Sequence, residues 1–261
     1  MTLELGDVEE TALIPVAIKA SESMRKNARV VDKTAVEITQ HLGLDFGKFD
    51  RFMSHEGVIA RTIMLDKMVL DFIKAHENAA IVNLGAGFDD RFSRVDDGKV
   101  LWFDVDLPDS IAARRKVFRE KKRVKMIGAS VLEEAWCAEV KEADGRDMLF
   151  IAEGLFMYLS MAEISLLLNV LTSNFPHGTL FAEQNSPLFV KNQKYHDTVK
   201  NTNAVFKSGT KSARELCDLC GALKFVDEHS FNEEMRKYSV RAKLFATFFP
   251  RMNDRWATFE W

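Results

Sequence analysis

Five short apolar runs limit what this chain can fold into. They are Ala79–Leu84, Val100–Val105, Val124–Gly128, Asp147–Ala152 and Gly178–Glu183. The first stops at Gly85, the second at Asp106-Leu107-Pro108, the third at Gly128 and the fourth at Glu153-Gly154. Helix-patterned stretches at Ser110–Lys121, Leu132–Lys141 and Ala162–Asn174 lie between most of them. A strand that is apolar at successive positions has no face to give to water, so both faces must be covered. Such strands alternating with helices predict an α/β fold around a parallel sheet.

The flanking segments extend this core. The chain up to Asn78 is helical in pattern, with apolar residues at helical spacing in Thr34–Leu42 and Ile59–Ala75. Asp32 or Lys33 and Gly57 stand near their starts. After the fifth run, Ser212–Leu223 reads as a helix. Lys224–Glu228 and Arg255–Trp261 read as strands around a helical segment, Asn232–Phe249. Seven strands in this order predict a Rossmann-like sheet closed by an edge hairpin. We expect a single domain over 1–261: a helical extension (1–78), a core (79–186), an insertion (187–211) and a closing segment of helices and edge strands (212–261). The insertion carries Phe189, Tyr195, His196 and Phe206. At the C-terminal edge of a parallel sheet it is expected to serve as a lid.

Charge narrows the function. Thirty-six basic residues against thirty-nine acidic ones give a net charge of -3 over 261 residues. A dedicated nucleic-acid binder is basic as a whole, so that class is disfavoured. No apolar run is long enough to span a bilayer. The first residues are acidic and lack a secretory pattern. The three cysteines, Cys137, Cys217 and Cys220, suggest a reducing, cytoplasmic setting. Cys217 and Cys220 form a lone CxxC, read as two half-buried structural thiols on one helix face.

The richest segment is Val82-Asn83-Leu84-Gly85-Ala86-Gly87-Phe88-Asp89-Asp90-Arg91. A strand runs into a glycine pair that turns sharply and lets a ligand approach the backbone. A dinucleotide fingerprint would place a third glycine at position 90. Asp90 and Asp89 there would repel a pyrophosphate. A ligand without phosphates but with a cation fits better, and S-adenosylmethionine has an ammonium and a sulfonium. About twenty residues on, Asp104 and Asp106 end the second run, where an acid accepts hydrogen bonds from ribose hydroxyls. Either is placed to do so; either also suits a helix cap near Ser110. Glu153 ends the fourth run at the same edge, as a counter-charge for an ammonium. None of the six histidines sits in a base motif. His196, beside Tyr195 in the lid, is the one near the expected site. No metal-ligand spacing is present, so no metal is expected.

Several ordered motifs carry a family likeness. NLGAGFDDR, FDVDLPDSIAARRK, GASVLEEAW and EGLFMYLS follow one another with family spacing. Thr11–Ala20 and Val58–Asp66 fit upstream. The chain resembles the leucine carboxyl methyltransferase family over roughly residues 8 to 190, and is most similar to its bacterial branch of tetracenomycin-type polyketide carboxyl O-methyltransferases. The resemblance implies a class I methyltransferase fold with S-adenosyl-L-methionine as methyl donor. It implies Lys19 and Arg61 at the methionyl carboxylate, Gly85 and Gly87 at the turn, and Asp106 at the ribose with Asp104 alongside. Ser130 and Val131 fall on the adenine side and Glu153 at the methionyl amine. Tyr158, in EGLFMYLS, joins Tyr195 and His196 as candidate substrate-binding residues. Three positions depart from the pattern: Asp90 where Thr is common, Lys19 where bacterial relatives often have Arg, and Ser130 where the protein-directed branch has Asp.

The expected activity is therefore O-methylation of a small molecule, with a carboxylate of polyketide or aromatic-acid type as acceptor. A carboxylate is ionised at neutral pH and needs no base, whereas a phenol needs one. The alternatives are a dinucleotide-dependent oxidoreductase, which Asp90 disfavours, and a catalytically silent relative that only binds.

Overall fold

The structure, a computed structural model, describes residues 7–45, 50–119, 121–193, 204–238, 240–248 and 254–261. Three helices come first: α1 (Asp7–Ser23), α2 (Lys33–Leu42) and α3 (Phe52–Ala75). The alternating part is β1 (Ala79–Leu84), α4 (Phe92–Val95), β2 (Leu101–Asp106), α5 (Pro108–Val117), β3 (Val124–Gly128), α6 (Ala135–Glu139), β4 (Asp147–Ala152), α7 (Met161–Asn174) and β5 (Thr179–Asn185). Then follow α8 (Pro187–Lys191), α9 (Glu215–Leu219), β6 (Lys224–Ser230), α10 (Phe231–Met235), α11 (Val240–Phe248) and β7 (Asp254–Glu260).

The sheet has seven strands in the order β3-β2-β1-β4-β5-β7-β6. β1 to β5 pair in parallel, and β7 is antiparallel to both β5 and β6. The order reverses between β1 and β4, and ligands of open α/β sheets bind in the crevice outside the strand ends at such a point. The predicted Rossmann-like sheet with an edge hairpin is thus observed. β6 forms an exposed edge, and its Lys224, Asp227 and Glu228 blunt it against pairing with another chain.

Alternating residues of the central strands feed two cores. Ala80, Val82 and Leu84 of β1 join Phe150 and Ala152 of β4, Trp136 and Leu167 on one face. Ile81, Leu149 and Ile151 meet Leu65 and Val69 of α3 and Trp256 of β7 on the other. All of β1 is buried, as a strand covered on both faces requires.

α1 is apolar on two sides because it is wedged between two partners. Leu13, Val16 and Ala20 meet Ala35 and Ile38 of α2 and also Phe88. Ile14 and Ile18 meet Ile59 of α3, Met157 and Phe206. Burying side chains of this size contributes ~1.5–3 kcal/mol each. This packing lays α1 across the C-terminal edge of the sheet and brings Lys19 to the crevice.

Several expected boundaries move. α3 begins at Phe52, so Gly57 lies inside it. The stretch expected as one helix over Asn232–Phe249 is two, α10 and α11, joined by a turn at Arg236–Tyr238. Only Glu215–Leu219 of Ser212–Leu223 is helical, with Cys220 as its C-cap, and Cys217 and Cys220 pack against the same apolar cluster. Both thiols, with Cys137, are free. β5 runs two residues past Glu183, to Asn185. Among the described residues no helix is long and apolar enough to cross a membrane.

Candidate active site

The turn after β1 builds the floor of the site. Gly85 and Gly87 have φ of +67° and +49°, which L side chains rarely adopt. A Cβ on Gly85 would lie 3.1 Å from Leu155, and one on Gly87 3.2 Å from Ala12. The turn is pinned to β2: the Gly85 N–H donates to the Val105 carbonyl (2.8 Å) and the Gly87 N–H to Asp106 Oδ2 (2.7 Å). Asp106 Oδ1 accepts the Leu107 N–H at 2.7 Å. Burial pushes the Asp106 carboxyl above its ordinary range, against those backbone donors.

Asp104 plays a different part. It is 1% exposed and does not line the cavity. Its oxygens accept from Arg114 (2.8 Å), the Trp102 indole (2.9 Å) and Asn83 (3.2 Å). The expectation that it stands beside Asp106 at the ligand is corrected, because α5 brings Arg114 onto it. Asp90 is likewise occupied. It accepts from Thr34 (2.6 Å), Ser93 (2.7 Å) and Lys121 (2.5 Å), tying α2 to the sheet.

A charge network crosses the crevice. Lys19 is 2% exposed and pairs with Asp89 and, at 3.3 Å, with Asp32. Asp89 also meets Arg91 (3.0 Å) and Arg94 (3.2 Å). Burial would raise the Asp89 carboxyl, but Arg91, Lys19 and Arg94 outweigh it and hold it well below the usual range. Arg61, on α3, bridges two strand ends: its Nε lies 2.8 Å from Glu153 and its Nη1 3.1 Å from Glu183. Glu153 Oε2 lies 2.7 Å from Arg91. Burial is outweighed there too, by Arg91 and Arg61, so Glu153 is held below its ordinary value. Neither approach to Glu153 is aligned as a hydrogen bond, which leaves Glu153 Oε2 and Arg61 Nε without such partners. Buried polar atoms are rarely left so, and an incoming ammonium would fit Glu153.

Lys19, Arg61, Asp89, Glu153 and Glu183 of this network line one cavity of about 590 Å³. Lys19, Gly85, Gly87, Asp106, Ser130, Val131 and Glu153 stand over the ends of β1, β2, β3 and β4. Arg61 and Tyr158 stand toward β5, where the wall changes to Met157, Phe189, Phe206, Phe231, Met235 and Phe245. The Tyr158 hydroxyl donates to Thr11 at 3.1 Å, and its ring meets Phe206 edge-on at 5.6 Å. Burial raises its hydroxyl above the ordinary value. Phe189 and Phe206 come from the expected lid; Tyr195 and His196 lie outside the described residues.

Glu183, Asn185 and Asp254 are polar residues of this wall that escape the sequence reading. Glu183 Oε2 accepts the Gly154 N–H at 2.7 Å. Burial raises the Glu183 carboxyl despite Arg61, and burial with the Glu183 charge raises that of Asp254 well above its ordinary value. No histidine is among the described residues that line the cavity.

The sequence profile described as leucine carboxyl methyltransferase matches residues 12–172, more than half of the chain. The chain belongs to that family. It is 29% identical to the tetracenomycin polyketide synthesis O-methyltransferase TcmP of Streptomyces glaucescens, over 88% of this chain and 85% of that one. It is 26% identical to the S-adenosyl-L-methionine-dependent methyltransferase dpfgK of Gibberella zeae, over 67% of this chain and 65% of the relative, just under two thirds. A solved structure of a candidate methyltransferase from Thermobifida fusca shares the fold, with a TM-score of 0.60 at 13% identity, covering 95% of this chain and 93% of that one. This family member is an S-adenosyl-L-methionine-dependent methyltransferase. The glycine turn, close against Leu155 and Ala12, and the unaligned Glu153–Arg61 contact suit that cofactor.

Proposed function

We propose that this enzyme methylates a carboxylate oxygen of a small, largely apolar acid of polyketide or aromatic type. The observation that carries the reading is the wall over β5 and β7. It is aromatic, no histidine lines it among the described residues, and burial with the Glu183 charge raises the Asp254 carboxyl above its ordinary value, which weakens its repulsion of an incoming carboxylate. A carboxylate nucleophile is ionised at neutral pH and needs only to be placed.

The chain's own residues then bind and orient. Gly85 and Gly87 let the turn approach the cofactor closely, and Asp106 offers its remaining lone pairs to ribose hydroxyls. Ser130 and Val131 would hold the adenine side of the cofactor, Glu153 its methionyl ammonium, and Lys19 and Arg61 its methionyl carboxylate. The bound cofactor supplies a methyl group activated by its sulfonium. Tyr158 and the aromatic wall hold the acceptor's apolar body and exclude water, which makes the transfer effectively intramolecular.

The test is to incubate the enzyme with S-adenosylmethionine and a panel of aromatic and polyketide acids, then treat each methylated product with mild alkali. A methyl ester is cleaved back to the acid. Products that resist alkali would be ethers and would overturn the carboxylate reading while leaving the methyltransferase assignment in place.

A further inference from the structure

Two polar groups near the Arg61–Glu183 pair point to a second recognition element. Asn185 ends β5, and its partner across the antiparallel β5–β7 ladder is Asp254, the first residue of β7. Residues directly opposite in an antiparallel pair send their side chains to the same face. Both line the cavity. Asn185 is 2% exposed, yet its amide oxygen and its amide nitrogen have no hydrogen-bond partner. Asp254 Oδ1 is also buried without one.

A buried amide with neither end satisfied costs free energy, and a leucine of similar volume would not incur that cost. Here the amide and the carboxyl stand side by side. Together they offer the amide N–H donors, the amide oxygen and a carboxyl oxygen. A hydroxyl matches this set, since it donates once and accepts through two lone pairs.

We propose that Asn185 and Asp254 bind a hydroxyl group on the acceptor, separate from the group that is methylated, so that the enzyme selects hydroxylated acids over their deoxy counterparts. The proposal rests on the carboxylate reading for the identity of the reacting group. The Asn185 amide donates to the hydroxyl oxygen, and the hydroxyl donates to the Asn185 amide oxygen or to Asp254. The aromatic rings that line the same cavity hold the apolar body of the same molecule. Sites built to hydrogen-bond a substrate hydroxyl reject the analogue that lacks it, because their own buried groups are then left unpaired.

The test compares naphthoic acid with its hydroxynaphthoic isomers on the wild-type enzyme, Asn185→Leu and Asp254→Leu. Turnover is measured with S-adenosylmethionine. Binding is measured by calorimetry on enzyme saturated with S-adenosylhomocysteine, so a result follows even where turnover is slow. In the wild type at least one hydroxy isomer is expected to bind ~10-fold or more tightly than naphthoic acid. In both variants that preference falls to within about 2-fold, while affinity for S-adenosylhomocysteine is unchanged. Asn185→Leu is also expected to raise Tm, because it removes an unsatisfied buried amide. A wild-type enzyme without preference, or a preference that survives both substitutions, overturns the proposal. If the preference is present and lost as expected but the product is an alkali-stable ether, Asn185 and Asp254 do face the hydroxyl, and the carboxylate reading is the one that falls.

Discussion

Replacing Arg61 separates its structural role from its binding role. Its guanidinium lies between Glu153 and Glu183, at 2.8 and 3.1 Å, and Glu183 is 2% exposed. Arg61→Ala leaves Glu183 buried near Glu153 and Asp254 with no cation in contact. Removing one partner of a buried pair typically destabilises by ~3–5 kcal/mol. The guanidinium is 12% exposed, so the lower end, about 3 kcal/mol, is expected here. Loss of the methionyl carboxylate contact should weaken S-adenosylhomocysteine by a further ~2–4 kcal/mol. The two effects part in a double variant. Adding Glu183→Gln removes the stranded charge and should restore more than half of the lost stability, measured by denaturant unfolding. It should not restore cofactor affinity, measured by calorimetry. Adenosine, which lacks the methionyl group, should bind all variants alike. Recovery of cofactor affinity together with stability, or equal losses for adenosine, would show that Arg61 only supports the fold.

Other outcomes are equally specific. Gly87→Ala, at φ +49° with Ala12 3.2 Å from the new Cβ, should cost ~1–2 kcal/mol of stability and weaken cofactor binding, read by unfolding and calorimetry. Asp106→Ala should cost about 1.5–3 kcal/mol of cofactor binding, whereas Asp104→Ala should chiefly destabilise the fold by stranding Arg114; a cofactor loss confined to Asp104→Ala would reverse their roles. Glu22 is held at about 2, down from 4.5, because Arg29 and His55 outweigh its burial. A depressed carboxyl stabilises above its unfolded value and loses that contribution as pH falls toward its folded one. Stability should therefore drop between about pH 4.5 and 2, and Glu22→Gln should flatten that limb in acid unfolding curves.

The part of the cavity over β1 to β4 was legible because its signals are local. The glycine turn, Asp106 and Glu153 each sit within a few residues of an apolar run that ends at one edge of the sheet. The likeness of NLGAGFDDR and EGLFMYLS to the family was confirmed over the same residues. Asp104 was misplaced because its nearness to Asp106 along the strand does not reveal which partners take its oxygens. Arg114, ten residues on, claims Asp104. The part over β5 and β7 was not legible because it depends on topology. Asp254 meets Asn185 only once β7 is inserted antiparallel between β5 and β6, and nothing within the sequence near either residue announces the pairing. Glu183 did carry a signal, since an acid ends the fifth run as Glu153 ends the fourth.

The most direct measurement is a crystal structure with S-adenosylhomocysteine bound. The account predicts ribose hydroxyls on Asp106, the ammonium on Glu153, and the sulfur facing the space between Arg61, Tyr158 and Asn185. A cofactor whose ribose lies away from Asp106, or whose sulfur points away from the aromatic wall, would contradict it.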